Sequence, residues 1–414
     1  MYANQKFVRM KRVTIIGMGP GPGTMTQAAG EAIADADVLV GAARMLDLYK
    51  GPAKKTHMCY LPKDVAEVIA GEDAREFAVL VSGDVGFYSA AEGIAEMLQV
   101  YDLRLIPGVS TVNSFFAKLK MPWQHAAFVS VHGRKMSIVD TVRRNHLTFC
   151  LTGNNINEIG AALCKAGFGF IKTYIGENLD SEKERVYEAY AEDLANGDFP
   201  PLTVLLFINE TFDNRTPCGL PDGSFSRIKG IPMTKSEIRA IVMSRLNLRP
   251  DNICWDIGAG TGSVSVEMAL SAYRGHLYAV ERTEDGIHLI ERNCVSYHIG
   301  NVTAVRGEAP AALEPLPTPD AVFIGGSSGE ADGIIAAVLS KNPQARIVVT
   351  AVTVETVSDA LAAFSKAKLE PEIVQISASR GKQVGKLHMM EAQNPVTILS
   401  AGGHEGIVEL GVRS

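Results

Sequence analysis

The residues Asp256-Ile-Gly258-Ala-Gly260-Thr-Gly262 end an apolar run that begins at Cys254, and a stretch of helical composition follows them from Ser263 to Ser271. Glycines at such a strand-to-helix turn let a ligand approach the backbone closely. Glu281 lies 23 residues past Gly258 and directly follows the strand-like run Leu277 to Val280. A carboxylate placed there can accept both hydroxyls of a ribose. A dinucleotide site would share these two features. Two further details turn the pattern toward S-adenosylmethionine. The acidic start at Asp256 suits an ammonium group better than a pyrophosphate, and Gly307-Glu308-Ala309 follows the third strand candidate, where an adenine would be held.

A second glycine turn, Gly17-Met-Gly-Pro-Gly-Pro-Gly23, opens the chain and has different chemistry. Pro20 and Pro22 carry no N–H, so two donors of a phosphate cradle are missing. No Gly-Lys-Ser/Thr ending follows, and the acid that a nicotinamide site wants after the second strand is absent, since Asp37 precedes Val38 to Val40. The turn is shaped for close approach and not for phosphate. Three more turns follow in order: Ser82-Gly-Asp84-Val-Gly-Phe87, Pro107-Gly-Val-Ser110-Thr111, and Pro122-Trp-Gln-His125 ahead of Val129-Ser-Val-His132-Gly-Arg134. Taken singly each is ordinary turn chemistry. Their joint order carries the information.

The elements that must position these turns read as α/β. Seven β-rich runs (Val13 to Ile16, Val38 to Val40, Ala78 to Ser82, Leu103 to Ile106, Phe128 to Val131, Leu147 to Leu151, Thr203 to Ile208) alternate with helical stretches. Residues 209–232 are rich in breakers and lack periodicity, which places domains at 1–210 and 230–414 with a linker at 211–229. Thr234 and Glu237 predict a capping box for a helix whose apolar face holds Ile238, Ile241, Val242 and Leu246. Five strand candidates follow (Ile253 to Ile257, Leu277 to Val280, Val302 to Val305, Ala321 to Ile324, Arg346 to Thr350), then a late β pair at Glu372 to Ala378 and Pro395 to Ser400. No internal repeat links the halves.

Bulk numbers set limits on function. A chain of 414 residues exceeds one ordinary core, and 46% hydrophobic with 21% charged residues is a globular composition. The six cysteines are scattered without Cys-x-x-Cys pairs, which predicts reduced thiols in the cytoplasm and no metal site. A net charge of -6 with evenly spread Lys and Arg argues against a nucleic-acid partner, and no signal segment or apolar run of membrane-spanning length occurs.

The second half resembles the class I methyltransferases of cobalamin biosynthesis. Pro232-Met-Thr-Lys-Ser-Glu-Ile-Arg239, Trp255 to Gly262, Ala279-Val-Glu-Arg282, Phe323-Ile-Gly-Gly-Ser-Ser328 and Asn394-Pro395 carry the resemblance, over about 230–400. It implies a Rossmann-like fold that methylates carbon 15 of a precorrin and decarboxylates an acetate arm. Its S-adenosylmethionine would be held by Thr234, Asp256, Gly258, Gly260, Gly262, Glu281, Gly307, Glu308 and Ala309. One departure is Thr350, where the family's pattern has Asn before Ala351-Val352-Thr353.

The first half is similar to the tetrapyrrole methylases, through its ordered turns. The resemblance implies a two-lobed fold acting on carbon 5, with a second S-adenosylmethionine near Gly83, Asp84, Val85, Ser110, Thr111, Leu151 and Thr152 and with Pro22 bordering the precorrin trough. His125 stands where this family often has an acid. Together the halves imply a bifunctional enzyme converting precorrin-6B to precorrin-8X, self-associating as both families tend to.

Such a substrate carries many carboxylates, so cations should line both troughs. Candidates are His132 and Arg134 in the first half and Arg380, Lys382 and His388 in the second, each with a plain alternative as a solvated surface charge. Two other readings stay open: an RNA methyltransferase, which predicts a basic stripe that this sequence lacks, and a non-catalytic binder of S-adenosylmethionine or a corrinoid.

Overall fold

The computed structural model describes residues 10–47, 49, 54–131 and 138–403, with the side chain of Pro22 excepted. Its contacts divide into two compact units. The first takes the residues up to 131 with His146–Asn157 and Ile171–Ile208; the second takes residues 138–145, Glu158–Phe170 and those from Asn209 on.

The first unit holds two sheets. Strands β1 (Arg12–Gly17), β2 (Val38–Gly41), β3 (Lys55–Met58), β4 (Glu76–Val81) and β5 (Asp102–Ile106) form a parallel sheet in the order β3-β2-β4-β1-β5. Strands β1 and β4 are near-continuous apolar runs because both their faces are covered, which is what a parallel sheet requires. The second sheet comprises β6 (Ala127–Ser130), β7 (Leu147–Leu151), β8 (Lys172–Glu177), β9 (Arg185–Tyr190) and β10 (Thr203–Ile208), in the order β6-β7-β10-β8-β9. Only β6 and β7 run parallel here. Phe115 and Phe116, on the helix Thr111–Leu119, pack with Phe149 of β7 beneath this sheet.

The second unit is built on seven strands: β11 (Ile253–Ile257), β12 (His276–Glu281), β13 (Val302–Arg306), β14 (Ala321–Ile324), β15 (Arg346–Ala351), β16 (Glu372–Ile376) and, after a separate hairpin of β17 (Ser379–Val384) and β18 (Leu387–Ala392), β19 (Val396–Ala401). The order is β13-β12-β11-β14-β15-β19-β16, with only β19 antiparallel to its neighbours. The strand order reverses direction at β11, so the crevice beyond the carboxyl ends of β11, β12 and β14 is where such a sheet binds its ligand.

Four strands were not expected from sequence besides β9: β3, β8, β17 and β18. Each offers a weak apolar signal. Lys-Thr-His-Met of β3 is an exposed edge, and every residue of β18 is exposed. The breaker-rich stretch is partly core, because Leu220 and Phe225 pack with the apolar residues under the second unit's sheet. Its anchor is Arg239, fully buried beside an equally buried Glu267, with Nε donating to Oε1 at 2.7 Å. The Glu267 carboxylate also accepts from Gly219 N and Leu220 N, both at 2.9 Å. Arg239 donates further to Asp222 Oδ1 at 3.0 Å and to the carbonyls of Leu220 and Thr234.

The helix carrying Arg239 spans Ser236–Leu246 and buries Ile238, Val242 and Leu246 as its periodicity predicts. Its start differs from the expected capping box. Lys235 occupies the cap position without a side-chain bond, and Asp222 Oδ1 accepts from Ser236 N at 3.0 Å instead. A carboxylate from 14 residues upstream satisfies the helix end, leaving Glu237 free to accept from Arg380.

Candidate functional sites

In the second unit a cavity of about 260 Å³ opens at the switch point, lined by Thr234, Gly258, Gly260, Glu281, Gly307, Glu308 and Ala309 among others. These are seven of the nine residues that sequence assigned to this cofactor. Gly258, Gly260 and Gly262 take φ values of 72°, 56° and 73°, a region that side chains disfavour. A Cβ on Gly258 would also lie 2.8 Å from the Gly326 carbonyl oxygen. The glycines therefore bring two loops together as well as clearing space. Glu281 fixes the turn through Oε2, which accepts from Gly260 N at 3.0 Å, while Oε1 accepts from Thr283 N at 2.9 Å and Thr283 Oγ1 at 2.7 Å. The carboxylate lines the cavity, so its remaining lone pairs suit the two hydroxyls of a ribose.

Gly262 caps the helix Ser263–Ser271 behind the cavity and does not line it. Asp256 also departs from expectation. It is fully buried at the end of β11, away from the cavity wall, and Oδ2 accepts from Ser265 Oγ, so its carboxylate supports the turn from beneath. Asp256 Oδ1 has no hydrogen-bond partner. Burial pushes its pKa up to about 7, the Ser265 bond opposing and the nearby Glu281 charge adding to the rise.

A buried acid whose folded pKa exceeds its unfolded value keeps its proton in the native state after the unfolded chain has lost it. Stability then falls as pH rises from about 4 to about 7. Asp256→Asn is expected to remove that fall, worth on the order of 2 kcal/mol between pH 5 and 7. Urea unfolding across this range checks it; identical pH slopes in the two proteins would contradict it.

The first unit has its own cavity, of about 760 Å³, lined by Ser82, Gly83, Asp84, Ser110, Thr111, Leu151 and Thr152 among others. Three glycine backbones converge beside it. A Cβ on Gly108 would sit 2.3 Å from the Gly83 carbonyl oxygen and 2.5 Å from that of Gly17. Gly19 and Gly83 exchange backbone hydrogen bonds at 3.1 and 3.2 Å. Asp84 ties the turns together, Oδ1 accepting from Gly86 N at 2.8 Å and Oδ2 from Gly108 N at 3.1 Å. Ser110 caps the helix that begins at Thr111. On the second sheet, Thr152 Oγ1 donates to the Thr203 carbonyl at 2.6 Å.

Six of the sequence-assigned residues, Asp84 among them, thus meet at this cavity. Val85 does not line this cavity and packs beside the apolar core of the first sheet. Pro22 lies in the turn Pro22–Thr24. His132 and Arg134 fall outside the described residues, and His125 is exposed.

The cations proposed for the second trough lie on the β17–β18 hairpin. Arg380 is engaged by the protein itself, donating to Asp222 and Glu237, and these bonds raise its pKa. Lys382 pairs with Glu391 at 3.2 Å. His388 is exposed. None of the three lines the second unit's cavity, and Arg380 has a structural use that the sequence did not signal.

Among the described residues, no helix is long and apolar enough to cross a membrane, and no cluster of His, Cys, Asp and Glu is placed to hold a metal.

Two family models match the chain: tetrapyrrole (corrin/porphyrin) methylases over residues 12–195 and a precorrin methyltransferase domain over residues 228–402. A Sinorhizobium protein named precorrin-6Y C(5,15)-methyltransferase [decarboxylating] is 30% identical over 403 residues, covering 93% of this chain and 95% of its own. A Pyrobaculum calidifontis protein named as a probable cobalt-precorrin-6B C(15)-methyltransferase (decarboxylating) is 40% identical over 193 residues, 46% of this chain and 98% of its own. A crystal structure named precorrin-6y C5,15-methyltransferase, from Geobacter metallireducens, is 36% identical, covers 45% of this chain and 97% of its own, and superposes with a TM-score of 0.43.

Proposed function

The chain belongs to the family of precorrin-6Y C(5,15)-methyltransferases (decarboxylating), the decarboxylating C-methyltransferases of cobalamin biosynthesis, and from that premise we propose that its two cavities divide the family's chemistry. The first unit methylates carbon 5 of the precorrin. The second methylates carbon 15 and releases carbon dioxide from an acetate arm. Each draws on its own S-adenosylmethionine. The observation that carries this reading is the pair of separate glycine-walled cavities, each with a carboxylate that organises its turn, Asp84 in one and Glu281 in the other.

Bound S-adenosylmethionine supplies an electrophilic methyl group on a sulfur that leaves neutral. The acceptor carbon of a reduced tetrapyrrole is already electron-rich, so the protein's work is placement. Glu281 holds the glycine turn, and the left-handed glycines keep side chains out of the cavity. Decarboxylation makes a different demand. The carbon–carbon bond breaks, carbon dioxide departs, the electron pair enters the conjugated ring system, and the arm's carbon takes a proton.

The test is incubation of the full chain with a precorrin pool and isotopically labelled methyl donor, read by mass spectrometry. Two labelled methyls with loss of carbon dioxide are expected. No labelled tetrapyrrole would refute the reading, and binding of one S-adenosylmethionine per chain would refute the two-site division.

A further inference from the structure

The first unit's cavity has an acidic lining for a site that must receive a polycarboxylate. Asp84 and Glu92 face it, and Arg44 is the only Lys, Arg or His among the described residues of its wall. Arg44 sits on the short helix Ala43–Asp47, directly after β2. One guanidinium nitrogen, Nη2, donates to Ser82 Oγ at 2.8 Å, beside the Gly83-Asp84 turn. No carboxylate among the described residues pairs with it. It differs in this from Arg380, Arg239 and Arg12, each of which is paired with acids of the protein.

Arg44 also stands at a boundary. A second cavity, of about 360 Å³, shares Arg44, Ser82, Tyr88 and Ser89 with the first. Its other walls are mostly apolar, with Met45, Val79, Leu80 and Ile94 among them, and Arg44 is its only cation among the described residues. Tyr88 holds a left-handed φ of 48°, uncommon for a bulky residue, and its hydroxyl donates to the Phe128 carbonyl at 3.2 Å. Tyr88 lines both cavities. Partial burial lowers the pKa of Arg44, while the side chain stays exposed enough to meet an anion.

We propose that Arg44 is a substrate-binding residue of the carbon-5 site: it clamps one carboxylate of a macrocycle side arm, whose methylenes occupy the smaller apolar cavity. A guanidinium can pair two-pronged with a carboxylate, and an apolar pocket with one cation at its mouth matches an alkyl arm ending in an acid. This fixes the ring's rotation in the trough and so selects which bridging carbon meets the methyl donor. The inference rests on the first unit being the carbon-5 site.

The experiment compares wild type with Arg44→Ala and Arg44→Lys as full chains. It measures carbon-5 methylation against precorrin concentration, carbon-15 methylation in the same samples, and S-adenosylmethionine binding without precorrin. Loss of one charge-assisted pair predicts that Arg44→Ala raises KM for carbon-5 methylation about 10- to 100-fold. Arg44→Lys should recover part of this. S-adenosylmethionine stoichiometry and carbon-15 methylation, which the substitution leaves alone, report intact folding. An unchanged KM in Arg44→Ala with carbon-5 methylation intact would overturn the role of Arg44. Wild type lacking carbon-5 methylation would instead overturn the assignment of the first unit.

Discussion

Glu281→Gln is expected to cut carbon-15 methylation by about two to three orders of magnitude while carbon-5 methylation stays near the wild-type rate. The carboxylate serves the turn and the ligand at once. Oε2 accepts from Gly260 N, Oε1 accepts from Thr283 N and Oγ1, and the residue lines the cavity. An amide of equal size offers one acceptor oxygen, and its NH2 would face a backbone N–H or a ribose hydroxyl. Charge-assisted hydrogen bonds are worth about 1.5–3 kcal/mol each, and losing two at the lower end of that range, about 3–4 kcal/mol, gives the expected factor. Calorimetric titration should show stoichiometry fall from two to one. Loss of both methylations, or of neither, would contradict the separation of the sites.

The sequence exposed the parts of this protein where chemistry forces residue type. Left-handed turns demand glycine, so Gly258, Gly260 and Gly262 were legible, and Glu281 followed because a parallel strand fixes its reach. The long parallel strands were legible for a similar reason: β1, β4, β11 and β14 are buried on both faces and must be apolar. The edge elements were not, since β3 and the β17–β18 hairpin bury little and carry no pattern.

Partnership was harder to read than position. Arg380 read as a substrate cation because a polycarboxylate calls for one, yet the acids that engage it, Asp222 and Glu237, lie 158 and 143 residues before it. Asp256 read as a partner for the ligand's ammonium group but is buried by strands on either side. Arg44 was overlooked for the converse reason: a lone arginine after a strand carries no motif, and only the convergence of β2 and β4 brings it to Ser82.

The largest stability effect is expected at Arg239. Its guanidinium and the Glu267 carboxylate are both fully buried, and together they gather Leu220, Asp222 and Thr234. Arg239→Ala would leave Glu267 charged, buried and short of its main partner, which costs about 3–5 kcal/mol. Hydrogen exchange should quicken throughout Ser236–Leu246 and in residues 219–222, and carbon-15 methylation should fall because Thr234, a wall of that cavity, loses its tether. The double substitution Arg239→Met with Glu267→Leu separates charge from packing. An apolar pair of similar volume should restore much of the stability, as buried ion pairs contribute little net stabilisation over apolar replacements. It should not restore the loop at residues 219–220, because the backbone N–H groups of Gly219 and Leu220 would have lost the carboxylate that accepts from them. A double variant as unstable as Arg239→Ala would show that leaving those two N–H groups without an acceptor costs as much as leaving the Glu267 charge unpaired.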